Sequence, residues 1–236
     1  MVIQDSLDAD VTRMSWCMTS LRQTDTPMGT FFVNFHARSH DLNAIAQALG
    51  RVSSVEALVA EPRPPWTSFF DRSASAQDTK EVSRIARSVS KKLNTAVFGF
   101  LVHDSDVFQY HLYDRGALVD RYDSRPDYFG RISEATCRKW AGRADLLMPW
   151  AQAGVTVEDI RVVLSRDASF SLEEERAVAF ATLFGIDAGL AAMDFRDLDG
   201  ADEGFLSVLS KANPAARALT RAVQVQDVAA VRAKRQ

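Results

Sequence analysis

The stretch from Val97 to Phe129, VFGFLVHDSDVFQYHLYDRGALVDRYDSRPDYF, constrains this chain more than any other, because two turn signals divide it into three alternating runs. With Asp104-Ser105-Asp106 as a turn, His103 pairs with Val107. Phe98, Phe100 and Val102 then share a face with Phe108, Tyr110 and Leu112, since side chains alternate along a strand. Asp114-Arg115-Gly116 suits a second, three-residue turn with glycine in the left-handed position. It predicts Leu112 opposite Leu118, Tyr110 opposite Asp120 and Phe108 opposite Tyr122. His103 and His111 fall on the other face. Asp120 lands among the aromatic rings, where a carboxylate needs a partner. Arg121 or Arg125 supplies one, unless the register is displaced by one residue.

The flanking sequence extends this meander into a fold class. Thr30–Arg38 is aromatic and β-branched and reads as a strand. Ser39, His40 and Asp41 offer caps to a helix with Leu42, Ile45, Ala46 and Leu49 on one stripe, ended by Gly50. Ser54–Glu61 reads as a second strand, stopped by Pro62-Arg63-Pro64-Pro65, with Trp66–Phe70 continuing as an edge segment. Gln77–Leu93 carries Val82, Ile85, Ala86, Val89 and Leu93 at helical spacing, with Asn94 after it. The order is β-α-β-α-β-β-β. The expectation is an α+β protein with an antiparallel-rich sheet and helices on one face, followed by an all-helical C-terminal half. Residues 1–28 read as an N-terminal arm, 29–130 as the sheet domain and 131–236 as a helical region that packs on the sheet or stands beside it. Within that region helices are expected at 136–141, 145–153, 157–164, 173–184 (capped by Ser171), 187–193, 203–209 and from Pro214 onward.

Charge and cysteine content narrow the function classes. The formal net charge is −3 and the pI about 5.8. No long basic run precedes the final residues, so nucleic acid is not an expected partner. Cys17 and Cys137 are too few for a disulfide scaffold. The segment MVIQDSLDAD lacks the basic start and apolar core of a signal peptide, and no apolar run reaches the roughly 18 residues of a membrane span. A cytoplasmic location, away from membrane, is the expectation.

The candidate chemistry lies in the acids of the meander. Asp104 and Asp106 share a hairpin end, and Asp123 and Asp127 are expected to return to it, with His103 alongside. Turn residues of this kind bond neighbouring backbone N–H groups, and they also gather around hard cations. An EF-hand is excluded, because the sixth-position glycine and twelfth-position glutamate are missing. Neither G-x-G-x-x-G nor a P-loop occurs, and Ser39-His40-Asp41, adjacent on one chain, cannot form a triad. Trp66, Phe69 and Phe70 beside the prolines read as a contact surface. The favoured expectation is a non-catalytic protein-binding protein, immunity-like or regulatory and without cofactor. It would engage a protein with a basic surface through Trp66, Phe69, Phe70, Asp104, Asp106, Asp123 and Asp127. The alternative is a Mg²⁺- or Mn²⁺-dependent hydrolase or nuclease-like enzyme using His103, Asp104, Asp106 and Asp123, with the three aspartates as metal ligands.

Overall fold

A computed structural model of the chain describes residues 29–53 and 56–198. The expected arm over 1–28 and the helices expected beyond 202 lie outside these residues. The described chain forms a six-stranded sheet in the order β2-β3-β1-β4-β5-β6, every neighbouring pair antiparallel. Its strands are β1 (Phe32–Ala37), β2 (Ala57–Val59), β3 (Thr67–Asp71), β4 (Ala96–His103), β5 (Val107–Asp114) and β6 (Ala117–Asp123). Two helices, α1 (Leu42–Val52) and α2 (Thr79–Leu93), lie between strands. After the sheet come α3 (Glu134–Lys139), α4 (Ala144–Leu147), α5 (Val157–Leu164), α6 (Glu173–Leu183) and α7 (Phe195–Leu198).

Local chemistry explains the helix ends. Asp41 caps α1 by accepting the Ala44 N–H at 2.9 Å, and Asp78 caps α2 by accepting the Lys80 N–H at 2.9 Å. Asn94 ends α2 in the left-handed conformation, with φ of 52°. Thr156 and Asp159 form a reciprocal capping box on α5, whose bounds match the apolar spacing. Ser171 does not cap α6; the N-cap position falls on Leu172, and the Ser171 N–H donates instead to Glu175.

The two faces of the sheet are covered by different helices. Val33, Phe35, Phe69, Val97 and Leu101 meet the buried stripes of α1 and α2. The opposite face holds Phe98, Phe100, Phe108 and Tyr110, and it packs against Ile160, Ala177, Phe180 and Phe184 from the C-terminal helices. A chain of buried hydrogen bonds ties the two halves. The Asn34 amide donates to the carbonyls of Ala191 and Met193 at 2.9 and 2.8 Å, and Asp194 accepts the Val33 N–H at 2.9 Å.

Three expectations about the sheet need correction. Arg63 and Trp66 exchange backbone hydrogen bonds of 2.9 Å across the prolines. Thr67–Asp71 is therefore a strand of its own, inserted between β2 and β1 rather than extending an edge. Proline cannot donate to a ladder, so the ladder starts after it. The second hairpin turns on two residues, Arg115 and Gly116, both with positive φ, and pairs Asp114 with Ala117. An irregularity between Leu112 and Tyr113 then places Leu112 opposite Asp120 and Tyr110 opposite Tyr122, two residues from the expected register. A shift of two preserves the face. Asp120 is therefore buried on the aromatic side, where it accepts from the Tyr110 hydroxyl at 2.7 Å and the Arg143 N–H at 2.8 Å. Its cationic neighbour is Arg143, at 3.7 Å, and neither Arg121 nor Arg125.

The outer edge of β6 is partly occupied by the segment that follows it. Asp123 donates its N–H to the Trp140 carbonyl at 2.8 Å, and Tyr122 bridges to Ala141. No helix among the described residues is long and apolar enough to cross a membrane.

Candidate functional site

The turn between β4 and β5 is built as expected, with His103 opposite Val107. Asp104 and Ser105 both take φ of 54°, a left-handed conformation that aspartate adopts more readily than most residues. Ser105 anchors the turn. Its hydroxyl accepts the Thr30 N–H at 2.7 Å and donates to Glu174 Oε1 at 3.1 Å. Its backbone N–H donates to the Thr30 carbonyl at 3.1 Å, and its carbonyl accepts the Glu173 N–H at 2.9 Å. The turn is thus clamped between the lead into β1 and the start of α6. Gly29 makes this approach possible, since a Cβ there would stand 2.2 Å from Asp104 Oδ1 and 2.5 Å from its carbonyl.

The acids of the meander do not converge. Asp106 accepts from the Arg125 guanidinium at 2.6 Å. Asp127 is exposed on the loop after β6. Asp123 lies opposite Gln109, two rungs short of the expected position, with its side chain turned inward. There it accepts the Gln109 amide at 2.8 Å and the Arg125 N–H at 2.9 Å. Burial pushes its carboxyl up to about 6, against these two hydrogen bonds. Among the described residues no three His, Cys, Asp or Glu side chains gather in a way that could hold a metal ion. The set His103, Asp104, Asp106 and Asp123 is therefore not assembled as a Mg²⁺ or Mn²⁺ site, because the register shift draws Asp123 away from the tip.

What the structure does place around His103 is a group of rings. Phe31 lies 5.0 Å away edge-on, Phe129 4.9 Å and Tyr128 5.9 Å, with Tyr128 and Phe129 4.9 Å from each other. All three rings reach the surface, Phe129 being 69% exposed. The imidazole is oriented by Gln77, whose Oε1 accepts from Nδ1 at 2.6 Å while its amide donates to the Val102 carbonyl at 2.7 Å. The Arg125 guanidinium lies 5.6 Å from the Tyr128 ring centre. Desolvation and then the carboxylates of Asp106 and Asp104 raise the Tyr128 phenol above its ordinary value. Aromatic surface and negative charge therefore share one end of the hairpin.

Trp66, Phe69 and Phe70 belong elsewhere. All three are buried, and the Trp66 indole donates to the Phe184 carbonyl at 2.7 Å. The prolines before them make a tight turn that leads straight into an interior strand, so these rings fill the core and offer no contact surface. Phe31, Tyr128 and Phe129 are the rings that reach the surface instead. Their signal in the sequence is slight: an aromatic pair directly after a Ser-Arg-Pro-Asp turn, and one phenylalanine just outside its strand.

Behind the same loop, residues 126–132 roof a cavity of about 330 Å³ on the α2 side of β5 and β6. Gln109, His111, Arg121, Asp123 and Trp140 line it. His111 was expected on this face and is 8% exposed. Burial, followed by the nearby Arg121 charge, lowers its imidazole to about 4. The chain matches no protein-family model, no curated protein and no solved structure.

Proposed function

We propose that the protein is a non-catalytic binding protein of the cytoplasm, immunity-like or regulatory, that holds a basic protein partner at the β4–β5 turn. The observation that carries this reading is the set of exposed rings of Phe31, Tyr128 and Phe129 around His103, bordered by Asp104, Asp106 and Asp127. Aromatic faces attract lysine and arginine side chains, and carboxylates beside them pair with the same cations. The clamp on Ser105 supports the reading too, because a turn already held in place loses little conformational freedom on binding. Phe129 has the exposure and size of a central anchor, with the acids as a rim that steers approach.

The test is affinity capture of the full chain beside Phe129→Ala and a double variant, Asp104→Asn with Asp106→Asn. The expected outcome is a captured protein with a basic surface whose affinity falls at least about tenfold with Phe129→Ala. The double variant slows association and removes most of its salt dependence. Capture that is unchanged in both variants, or a partner with an acidic surface, refutes the reading.

A further inference from the structure

The cavity behind the loop has a composition that the binding surface in front of it does not need. Its walls combine apolar groups, Pro126, Phe129 and Ile132, with a floor rich in hydrogen-bond donors. Arg121 lies with its guanidinium over the Trp140 ring, 4.7 Å from the ring centre. Among the described residues that guanidinium forms neither a hydrogen bond nor an ion pair, although an arginine carries five N–H donors. The Trp140 indole N–H is buried and has no acceptor among the described residues. The imidazole of His111, next to Arg121 across the β5–β6 ladder, also forms no hydrogen bond among the described residues. Asp123, the carboxyl in the lining, already accepts from Gln109 and the Arg125 N–H. Arg121 thus brings unmatched donors to the lining, and the neutral His111 imidazole adds one donor and one acceptor.

We propose that this cavity is a binding site for a small organic carboxylate, with its anionic group on Arg121 and its apolar body under Phe129 and Ile132. The planar guanidinium suits a carboxylate, which it meets through two parallel hydrogen bonds. The volume is at the lower end of the range for small-molecule sites, which matches a single ring and one charged group. The apolar roof separates this ligand from a bare inorganic anion, which would leave the roof uncovered. Phe129 is common to both faces of the loop, while Arg121, His111 and Trp140 serve the cavity.

Titration of the full chain with benzoate, followed by the indole and imidazole NMR signals of Trp140 and His111, is the test. Benzamide, the neutral isostere, and inorganic phosphate are titrated in parallel at equal ionic strength. Benzoate is expected to shift both signals saturably, with a dissociation constant on the order of 1 mM. Benzamide and phosphate are expected to bind at least about tenfold more weakly. Arg121→Gln, with its fold checked by urea unfolding, is expected to lose benzoate binding by a similar factor. The proposal is overturned if benzoate gives no saturable shift, if benzamide binds as well, or if phosphate binds better. These three arms use the unmodified protein, so a misfolded variant does not obscure the result. None of them requires a protein partner, so failure here leaves the hairpin surface untouched, and the reverse holds as well.

Discussion

Asp120 is a carboxylate set among rings, and its surroundings set what its loss would cost. Replacing it with alanine strands the buried Tyr110 hydroxyl and the Arg143 N–H. Each buried donor left without an acceptor costs about 1–3 kcal/mol, so Asp120→Ala is expected to destabilise by several kcal/mol in urea unfolding. Tyr110→Phe removes one bond without stranding a backbone donor and should cost about 1 kcal/mol. Similar losses in the two variants would show that the Arg143 contact contributes nothing. Alternation along the strand was enough to place Asp120 on the aromatic face. Its partner was not legible, because Arg143 arrives from a loop after α3 that no local pattern ties to β6. Trp66 marks the same boundary: an indole beside prolines reads as surface until the strand that follows is known to run through the middle of the sheet.

At the level of elements, α6 does two jobs. Its side chains cover the aromatic face, with Phe180 4.6 Å from Tyr110 and 4.7 Å from Phe184 in ring-centre distance. Its first turn holds the hairpin that carries the acidic rim, through Glu173 and Glu174. Phe180→Ala is expected to cost about 3–5 kcal/mol, the usual range for a buried phenylalanine, and Phe180→Leu markedly less. Because the helix and the rim are joined, the alanine variant should also speed amide exchange at Ser105. Unchanged exchange there would separate the two roles. The first hairpin, α2 and α5 were readable because apolar spacing and capping residues coincide in them. The third strand was hidden by its prolines, and the second hairpin register by a bulge. A bulge leaves no mark in an alternation whose period is two.

For the molecule as a whole, buried titrating groups set the response to pH. Burial lowers His36 to about 3, and burial with the Arg121 charge lowers His111 to about 4, from 6.5. The unfolded chain takes up these protons near pH 6.5 and the native state resists them, so their stabilisation is complete above that pH and declines toward pH 4. Asp123 has the opposite sign. Its carboxyl rises from 3.8 to about 6, and the stability it contributes is present below 3.8 and lost as the pH rises through 6. Urea unfolding from pH 7 to pH 5 should therefore show falling stability. His111→Gln should flatten the slope by up to about 1.4 kcal/mol per pH unit, and Asp123→Asn should steepen it. Equal slopes in His111→Gln and the unmodified chain would mean that the imidazole takes up its proton as readily in the folded protein as in the unfolded one. The segment hydrogen-bonded along β6 acts at this scale as well. Where Trp140 and Ala141 occupy the end of β6, a second molecule finds that rung of the edge already taken, and filament growth cannot start from it.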